Sequence, residues 1–279
     1  MNLCSCGHGP NVHDPNCSEC ACPGWTRDSS PVEIMLNGTW PIRLPPFRAY
    51  RPQFASTKGW ERQRIESIHS LMPPGSVLYD CGSECGDLSA LHSTLGIRTV
   101  LIEANRLAWP SARACFDANG LRPPVACWVG FAGPHSEGDA SHSVGDWPEE
   151  VNGVVTGETG FLNVHERSSD IGMIAIDDMP ERLGIPPPDG VTMDCESGEA
   201  VIVRGCERTF RGELTDGHRP HVWISVHPER MIENFRVTPD DLFEFMYDCG
   251  YPPFEYLAYS HELHVLFRGN PRPPSTPAQ

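Results

Sequence analysis

Short apolar runs alternate with amphipathic stretches along most of this chain, a pattern typical of a parallel sheet whose strands are joined by crossover helices. Two more apolar runs near the end lie close enough together to form an antiparallel hairpin. The pattern predicts a doubly wound α/β sheet that ends in this hairpin. Strands are expected at residues 76–81, 99–103, 125–131, 191–195, 221–226, 254–259 and 262–267, hairpin-like runs at 151–156 and 161–164, and helices at 58–72, 107–119, 198–210 and 238–249, with one more around Leu88, Leu91 and Leu95.

Composition divides the chain into four segments. Residues 1–25 carry a cluster of cysteine and histidine and are too few to bury a core. Residues 26–57 are rich in proline and arginine, and the prolines predict an extended arm without regular structure. Residues 58–269 hold the α/β domain, and residues 270–279 are expected to be a disordered tail.

The most informative motif joins the first two predicted strands. Asp80 follows the apolar part of the first strand, and Gly82 and Gly86 form the turn into the next helix. These glycines let the backbone approach a ligand, and the helix N-terminus offers unpaired N–H groups. Glu103 ends the second strand, where a carboxylate can accept both hydroxyls of a ribose. The motif therefore predicts a crevice for an adenosine-like ligand.

The turn favours S-adenosylmethionine over a dinucleotide. A dinucleotide site needs G-x-G-x-x-G, whereas this turn is D-x-G-x-x-x-G. The carboxylate of Asp80 would repel a pyrophosphate but suits the α-ammonium group of S-adenosylmethionine, which carries no phosphate. Asn105, Phe131 and Ala132, near the ends of the next two strands, are further candidates for contact with this cofactor.

A second group of polar residues follows the fourth and fifth predicted strands. Asp194 and Glu196 lie two residues apart, so both point to the same side. Glu199 begins the next helix, and His227 ends the fifth strand. The ligand crevice of a doubly wound sheet lies at this edge. Asp194, Glu196 and His227 are therefore the candidate catalytic residues, for base catalysis or substrate contact.

Four motifs, in this order, resemble those of the FkbM family of S-adenosylmethionine-dependent methyltransferases. They are similar to the family's D-x-G-A-N-x-G, L-D-D, D-x-E-G-x-E with V-L-x-G-A, and E-x-H-P segments. Glu84 stands where Asn is usual, and Ser225 where Glu is common. The motifs occupy residues 80–86, 175–178, 194–206 and 226–228, and the resemblance covers about residues 60–268.

The resemblance implies a class I methyltransferase fold, a Rossmann-like doubly wound sheet, and O-methylation of a sugar or another glycosylated small molecule. Asp177 and Asp178 could help Asp194 coordinate a divalent cation, as in some sugar O-methyltransferases, although the spacing does not require it. Two rivals stay open: a catalytically idle Rossmann-fold module that binds a protein partner, and an NAD-dependent oxidoreductase. The intact crevice argues against the first, and the missing phosphate turn against the second.

The net charge of −16 argues against a nucleic-acid backbone or an anionic membrane as the main partner. The N-terminus lacks the basic and apolar regions of a secretion signal, and no apolar run approaches the length of a membrane span. These features predict a cytoplasmic protein.

The cysteine and histidine residues of the first segment predict a structural zinc site. Clustered cysteines in a reducing compartment favour metal over disulfides. Two ions that share a thiolate, or metal-free disorder, are the alternatives, and docking of a protein partner is the expected role. The candidate ligands are Cys6, His13, Cys17 and Cys20, with Cys22 as the substitute.

Overall fold

The computed structural model describes residues 30–49, 54, 59–153, 155, 171–259 and 262–271. Its strands are β1 (Val32–Leu36), β2 (Trp40–Leu44), β3 (Val77–Cys81), β4 (Arg98–Ile102), β5 (Ala126–Val129), β6 (Phe131–Ala132), β7 (Ser141–Val144), β8 (Met173–Ile174), β9 (Gly190–Met193), β10 (His221–Val226), β11 (Glu255–Tyr259) and β12 (Leu263–Phe267). Its α-helices are α1 (Pro46–Ala49), α2 (Arg62–Leu71), α3 (Asp87–Thr94), α4 (Trp109–Ala118), α5 (Met179–Leu183), α6 (Glu199–Ile202), α7 (Glu207–Phe210), α8 (Pro228–Phe235) and α9 (Pro239–Asp248).

Eight strands form the central sheet in the order β11-β12-β10-β9-β3-β4-β5-β7. The five central strands, β10 to β5 in that order, are parallel, and β12 lies antiparallel between β10 and β11. This is the strand order of the class I methyltransferase fold, so the predicted α/β class and the terminal antiparallel hairpin are confirmed. Antiparallel β7 adds an edge strand that the hydrophobic pattern did not indicate.

The central strands are buried on both faces, as expected for a parallel sheet covered by helices. Every residue of β3 and of β10 is buried. Successive side chains point to opposite faces. In β3, Tyr79 therefore packs in a different hydrophobic cluster from its neighbour Leu78. In β4, Val100 likewise packs in a different cluster from Leu101. Side chains that leave the strand ends therefore gather at one edge of a rigid sheet.

The prolines of the N-terminal arm do not prevent regular structure, contrary to the prediction. β1 and β2 form an antiparallel hairpin in which Pro41 lies opposite Met35. A two-stranded sheet consists only of edge strands, where proline is tolerated because its missing N–H has no ladder partner to satisfy.

Two further predictions were wrong. The helix predicted over 198–210 is three short pieces, α6, a 3-10 turn at Val203–Cys206, and α7. Gly205 lies so close to the Gly133 carbonyl that a Cβ would overlap with it, and this backbone contact interrupts the helix. The hairpin-like run at 151–156 falls partly in a 3-10 turn, Glu149–Asn152; residues 161–164 lie outside the described residues.

One strand boundary differs from the sequence pattern, and one helix was not predicted. The strand predicted over 125–131 ends at Val129, and the next two residues form β6, which pairs with β8 in a separate small sheet. Helix α8 was missed, and it begins at a proline directly after His227. Proline suits the first helical position because its fixed φ is already helical. Among the described helices, none has both the length and the apolar composition to cross a membrane.

Arg48 connects α1 to the turn after β3. Its side chain is fully buried, with Nη2 2.5 Å from Asp87 Oδ2 and Nη1 3.2 Å from Glu84 Oε1. Glu84 is therefore the partner of an arginine from the N-terminal segment. A buried guanidinium needs such partners, because unpaired burial of a charge is costly.

We expect Arg48→Met to lower the free energy of unfolding by about 3–5 kcal/mol, because Asp87 and Glu84 would lose the cation that compensates them. Urea denaturation measures the loss. Arg113→Met is the matched control, because Arg113 pairs with Asp117 on the surface, and its loss should stay below about 1 kcal/mol. Equal losses in the two variants would show that the Arg48 network does not stabilise the fold.

Candidate functional site

The turn between β3 and α3 brings backbone close to the end of β9. Gly82 and Gly86 both have positive φ, 80° and 68°, which glycine adopts without strain. A Cβ at residue 82 would overlap with the carbonyl oxygen of Asp194, so only glycine fits there. The predicted glycine turn is therefore present, and it lies directly against the segment that carries the second polar group.

Glu103 holds this turn from the end of β4. Its Oε2 accepts the backbone N–H of Glu84 at 2.9 Å, and its Oε1 accepts that of Asn105 at 2.7 Å. These two bonds fix the orientation of the carboxylate, and each oxygen keeps a second lone pair for a ligand hydroxyl. Burial raises the pKa of Glu103 to about 7, against the lowering effect of both N–H groups.

Asp80 lies within β3, one residue before the strand ends, and is only 8% exposed. The hydroxyl of Ser89, in the first turn of α3, donates to its Oδ2. Burial raises the pKa of Asp80 to about 6, while the Ser89 hydrogen bond and the charge of Arg64 lower it. A carboxylate at this position can bind an ammonium group.

The other predicted cofactor residues lie beyond β4 and β5. Asn105 is buried, and its Oδ1 accepts the backbone N–H of Leu107 as the N-cap of a 3-10 turn. Phe131 and Ala132 are buried in β6, where Phe131 packs against Ala104 and Met173. Phe131 and Ala104 therefore pack together just beyond the ends of β5 and β4.

His227 stands at the centre of the second polar group and is 5% exposed. Its Nε2 lies 2.8 Å from Glu262, 3.8 Å from Glu196 and 4.0 Å from Asp194, while its Nδ1 lies 3.4 Å from Glu199. The structure therefore brings Asp194, Glu196 and His227 together, as their positions at two strand ends suggested. We call the set of Asp194, Glu196, Glu199, His227 and Glu262, with Glu61, Arg64, Arg230 and His264 around it, the acidic cluster.

Five members of the acidic cluster were missed at the sequence level, among them Arg230 of α8. Glu262 and His264 lie two residues apart at the start of β12, which runs antiparallel beside β10. Glu61 and Arg64 belong to the beginning of α2, and Arg64 is buried on the same face as Ile65 and Ile68. The available signal was a polar residue within an apolar pattern: His264 within LHVLF and Arg64 within a helical stripe.

Arg64 joins α2 to the ends of β9 and β10. Its Nη1 donates to Ser225 Oγ at 2.9 Å and lies 3.5 Å from Asp194, and its Nε is 2.8 Å from Glu61 Oε2. Ser225 therefore accepts a hydrogen bond from a buried arginine. Burial raises the pKa of Glu61, and the charge of Arg64 offsets part of that rise.

The backbone after Asp194 is strained. Glu196 and Ser197 have φ of 52° and 94°, in the left-handed region that side chains with a Cβ rarely adopt. Such conformations cost free energy and persist where surrounding contacts fix them. Asn234 of α8 donates to Ser197 Oγ at 2.9 Å, and Arg230 of the same helix contacts Glu196. Helix α8 thus holds the carboxylate of Glu196 near His227.

Asp177 and Asp178 do not join Asp194 in a cation site. Asp177 accepts the backbone N–H groups of Arg208 and Thr209, and Asp178 accepts the Ser136 hydroxyl at 2.5 Å. In the described residues, two sets of three side chains place all their ligand atoms within 4.8 Å of one another, and neither contains these aspartates. The sets are Asp194, His227 and Glu262, and Glu61, Glu262 and His264.

The thiols near the site are buried rather than activated. Burial raises the pKa of Cys81 and of Cys195 far above the usual range, so neither supplies a nucleophile at neutral pH. The predicted zinc ligands Cys6, His13, Cys17, Cys20 and Cys22 lie outside the described residues.

Comparison with known proteins yields matches only among solved structures. No protein-family model and no curated protein matches the sequence. A TehB-like SAM-dependent methyltransferase from Corynebacterium glutamicum shares 11% identity over 75% of this chain and 88% of its own, with a TM-score of 0.38. A methyltransferase from Pyrococcus furiosus shares 12% over 83% of this chain and 90% of its own, with a TM-score of 0.41.

A third match is the Pyrococcus abyssi tRNA (uracil-54, C5)-methyltransferase in complex with S-adenosyl-L-homocysteine. It shares 11% identity over 86% of this chain and 44% of its own, with a TM-score of 0.43. Identities and scores of this size say nothing about activity. The fold assignment depends instead on the strand order of the central sheet.

His227 gives the acidic cluster a measurable pH dependence. Burial alone lowers the pKa of His227, but its contacts with Glu199 and Glu262 and the charge of Asp194 raise it to about 10. Because this exceeds the unfolded value of about 6.5, the stabilisation is complete below about pH 6.5 and is lost as the pH rises through the folded pKa.

We therefore expect the free energy of unfolding, measured by urea denaturation of chelator-treated protein, to fall from neutral pH towards pH 10. His227→Gln should be less stable at pH 7 and should show a shallower fall, since glutamine does not titrate. A wild-type slope that the substitution leaves unchanged would mean that the imidazole is not held as a cation.

Proposed function

We propose that this chain transfers a methyl group from S-adenosylmethionine to a hydroxyl of a sugar or glycosylated small molecule. One observation carries the proposal: the crevice formed by Asp80, Gly82 and Glu103 and the acidic cluster share one sheet edge and touch at Gly82 and Asp194. Class I methyltransferases need this arrangement, because the methyl donor and the acceptor must meet within one crevice.

The crevice fits the donor by the charge of its carboxylates. Asp80 would bind the α-ammonium group, and Glu103, oriented by two backbone N–H groups, would accept the ribose hydroxyls. Neither residue suits a pyrophosphate, which argues against a dinucleotide. The glycine at 82 lets the donor approach the backbone, as a larger residue there would push β9 away.

Transfer to a hydroxyl breaks the S–CH₃ bond and forms an O–CH₃ bond, and the hydroxyl proton must leave. Asp194 is the base of the proposal, because its side chain, 30% exposed, is the most accessible carboxylate of the acidic cluster. In the metal-free protein, the contacts of His227 with Glu199 and Glu262 raise its pKa to about 10, which makes the imidazole a poor acceptor for that proton. Its part is to position Asp194 and Glu262, while Glu196 is held by Arg230. The products are the methyl ether and S-adenosylhomocysteine.

The proposal has four further parts. They are membership of the FkbM family, a preference for a sugar hydroxyl, a cytoplasmic location and a zinc ion bound by the N-terminal segment. They rest on the four motifs and on the cysteine cluster of the sequence. Each has a direct test, by acceptor screening, by localisation and by metal analysis of protein lacking residues 1–25.

Calorimetric titration with S-adenosylhomocysteine is the primary experiment, followed by transfer of a labelled methyl group to sugar and glycoside acceptors. Binding together with labelled product supports the proposal. Binding without transfer to any hydroxyl acceptor would overturn the acceptor class, and no heat at high micromolar ligand would favour the idle protein-binding module. Binding of NAD in its place would favour the oxidoreductase.

We expect Asp80→Asn and Glu103→Gln each to weaken S-adenosylhomocysteine binding by about tenfold or more, the effect of losing one charge-assisted hydrogen bond. Calorimetry gives the affinity, and urea denaturation checks that each variant folds. Glu181→Gln is the control, because Glu181 is an exposed carboxylate of α5, and it should bind like the wild type. Unchanged affinity in both crevice variants would remove these residues from the donor site.

The affinity should also depend on pH. Burial raises the pKa of Asp80 to about 6, and only the ionised carboxylate binds an ammonium group. We expect affinity to fall as the pH is lowered from about 8 to about 5, and binding at about pH 6 to release protons. Titration in two buffers with different ionisation heats counts those protons. Asp80→Asn should release fewer, and an identical count would place the titrating group elsewhere.

A further inference from the structure

The acidic cluster carries more negative than positive charge in a space with little water. It contains five carboxylates but only two guanidinium groups. The two imidazoles of the cluster are its only other groups that can carry positive charge. Four of the carboxylates, all except Asp194, are less than one-fifth exposed. The carboxylates are Asp194, Glu196, Glu199, Glu262 and Glu61, the guanidinium groups are those of Arg64 and Arg230, and the imidazoles are His227 and His264.

We propose that Asp194, His227 and Glu262 bind one divalent first-row transition-metal ion. Their ligand atoms all lie within 4.8 Å of one another, with His227 Nε2 2.8 Å from Glu262 Oε2 and 4.0 Å from Asp194 Oδ1. An ion about 2.1 Å from each donor needs donors separated by roughly 3–3.5 Å. Ion binding therefore requires Asp194 Oδ1 to move about 0.5–1 Å closer to His227 Nε2 than the 4.0 Å of this structure.

Three neighbouring strands present these donors. Asp194 follows β9, His227 follows β10, and Glu262 precedes β12, which runs antiparallel to β10 and therefore starts at the same edge. The backbone of the sheet fixes all three positions before any ion binds. A site assembled in this way differs from a group of acidic side chains on a flexible surface loop.

The second nitrogen of His227 supports the assignment independently. Metal-bound histidines commonly direct their other nitrogen to a carboxylate, which fixes the ring and its tautomer. His227 Nδ1 lies 3.4 Å from Glu199 Oε1, an ion-pair contact that leaves this buried nitrogen without a hydrogen bond. Glu199 is fully buried and accepts the backbone N–H of Cys195 at 2.5 Å. An ion that displaces the Nε2 proton would leave the other proton on Nδ1, facing Glu199, and Nε2 as a ligand between the two carboxylates.

The donor set defines the class of ion. One imidazole with two carboxylates suits Mn²⁺, Fe²⁺, Co²⁺ or Zn²⁺ better than Ca²⁺, whose sites use oxygen alone. Three protein ligands leave positions open, as in catalytic rather than structural centres. Asp194 is the most exposed of the three, 30% against 10% for Glu262 and 5% for His227, so the open side faces the crevice.

The neighbouring set of Glu61, Glu262 and His264 is a weaker candidate. The Arg64 guanidinium lies 2.8 Å from Glu61 Oε2 but 3.5 Å from Asp194 Oδ2, so it neutralises Glu61 more strongly than Asp194. A second cation beside it would be repelled. Glu262 belongs to both sets and also lies 3.2 Å from His264 Nε2. His264 thus positions Glu262 for the first set.

Mn²⁺ is the probe, used with the full chain, because the N-terminal thiolates that would compete for Zn²⁺ bind Mn²⁺ poorly. The spin-resonance signal of free Mn²⁺ reports binding without reference to methyl transfer. We expect the wild type to bind one Mn²⁺ per chain. Glu262→Gln and His227→Gln should each lower the affinity by about tenfold or more, and Glu199→Gln by a smaller factor. Glu61→Gln should change it by less than about tenfold.

Two controls make the outcomes decisive. Urea denaturation and binding of S-adenosylhomocysteine show that each variant is folded, and Glu262→Gln is nearly isosteric if His227→Gln fails to fold. No binding by the wild type at millimolar Mn²⁺ would overturn the site. Equal binding by all variants would reveal an adventitious ion only, and loss confined to Glu61→Gln would place the ion in the other set. If the protein binds the metal but not S-adenosylhomocysteine, the metal site is supported and the proposed methyltransferase function is refuted.

Discussion

The burial of carboxylates at one edge of a parallel sheet is the constraint on which the rest of the structure depends. Parallel strands end together, so Asp80, Glu103, Asp194 and the cluster around His227 meet where the helices leave the sheet. A buried carboxylate is costly unless hydrogen bonds or cations satisfy it. Each one here has a specific solution: a hydroxyl for Asp80, two backbone N–H groups for Glu103, and an imidazole for Glu262.

Distant segments of the chain supply the compensating cations. Arg48 comes from the segment before the sheet and reaches Asp87 and Glu84, and Arg64 comes from α2 and reaches Asp194. The proline-rich segment is thus tied electrostatically to the turn after β3. Segments that look like appendages in the sequence are part of what keeps the crevice charged and folded.

The sequence predicted those features of the fold and the site that depend on residues close together in the chain. Buried parallel strands are uninterrupted apolar runs, so β3, β4, β9 and β10 could be placed within about two residues, and the glycine turn with Glu103 followed from spacing. Contacts that depend on strand order could not be read in this way. Glu262 meets His227 only because β12 inserts antiparallel beside β10, and Glu61 reaches the same place only because α2 packs across the sheet. The interruption at Gly205 likewise depends on a distant carbonyl.

The contact between Gly82 and the Asp194 carbonyl has a consequence for how this protein can change over time. Under the proposed function, the walls of the donor pocket and of the acceptor pocket meet here as two backbones in contact, with no side chain between them to absorb a shift. Divergence towards a new acceptor cannot reshape the loop after β9 without disturbing the donor. Under the proposed function, specificity can therefore vary only through side chains that lie outside this backbone contact.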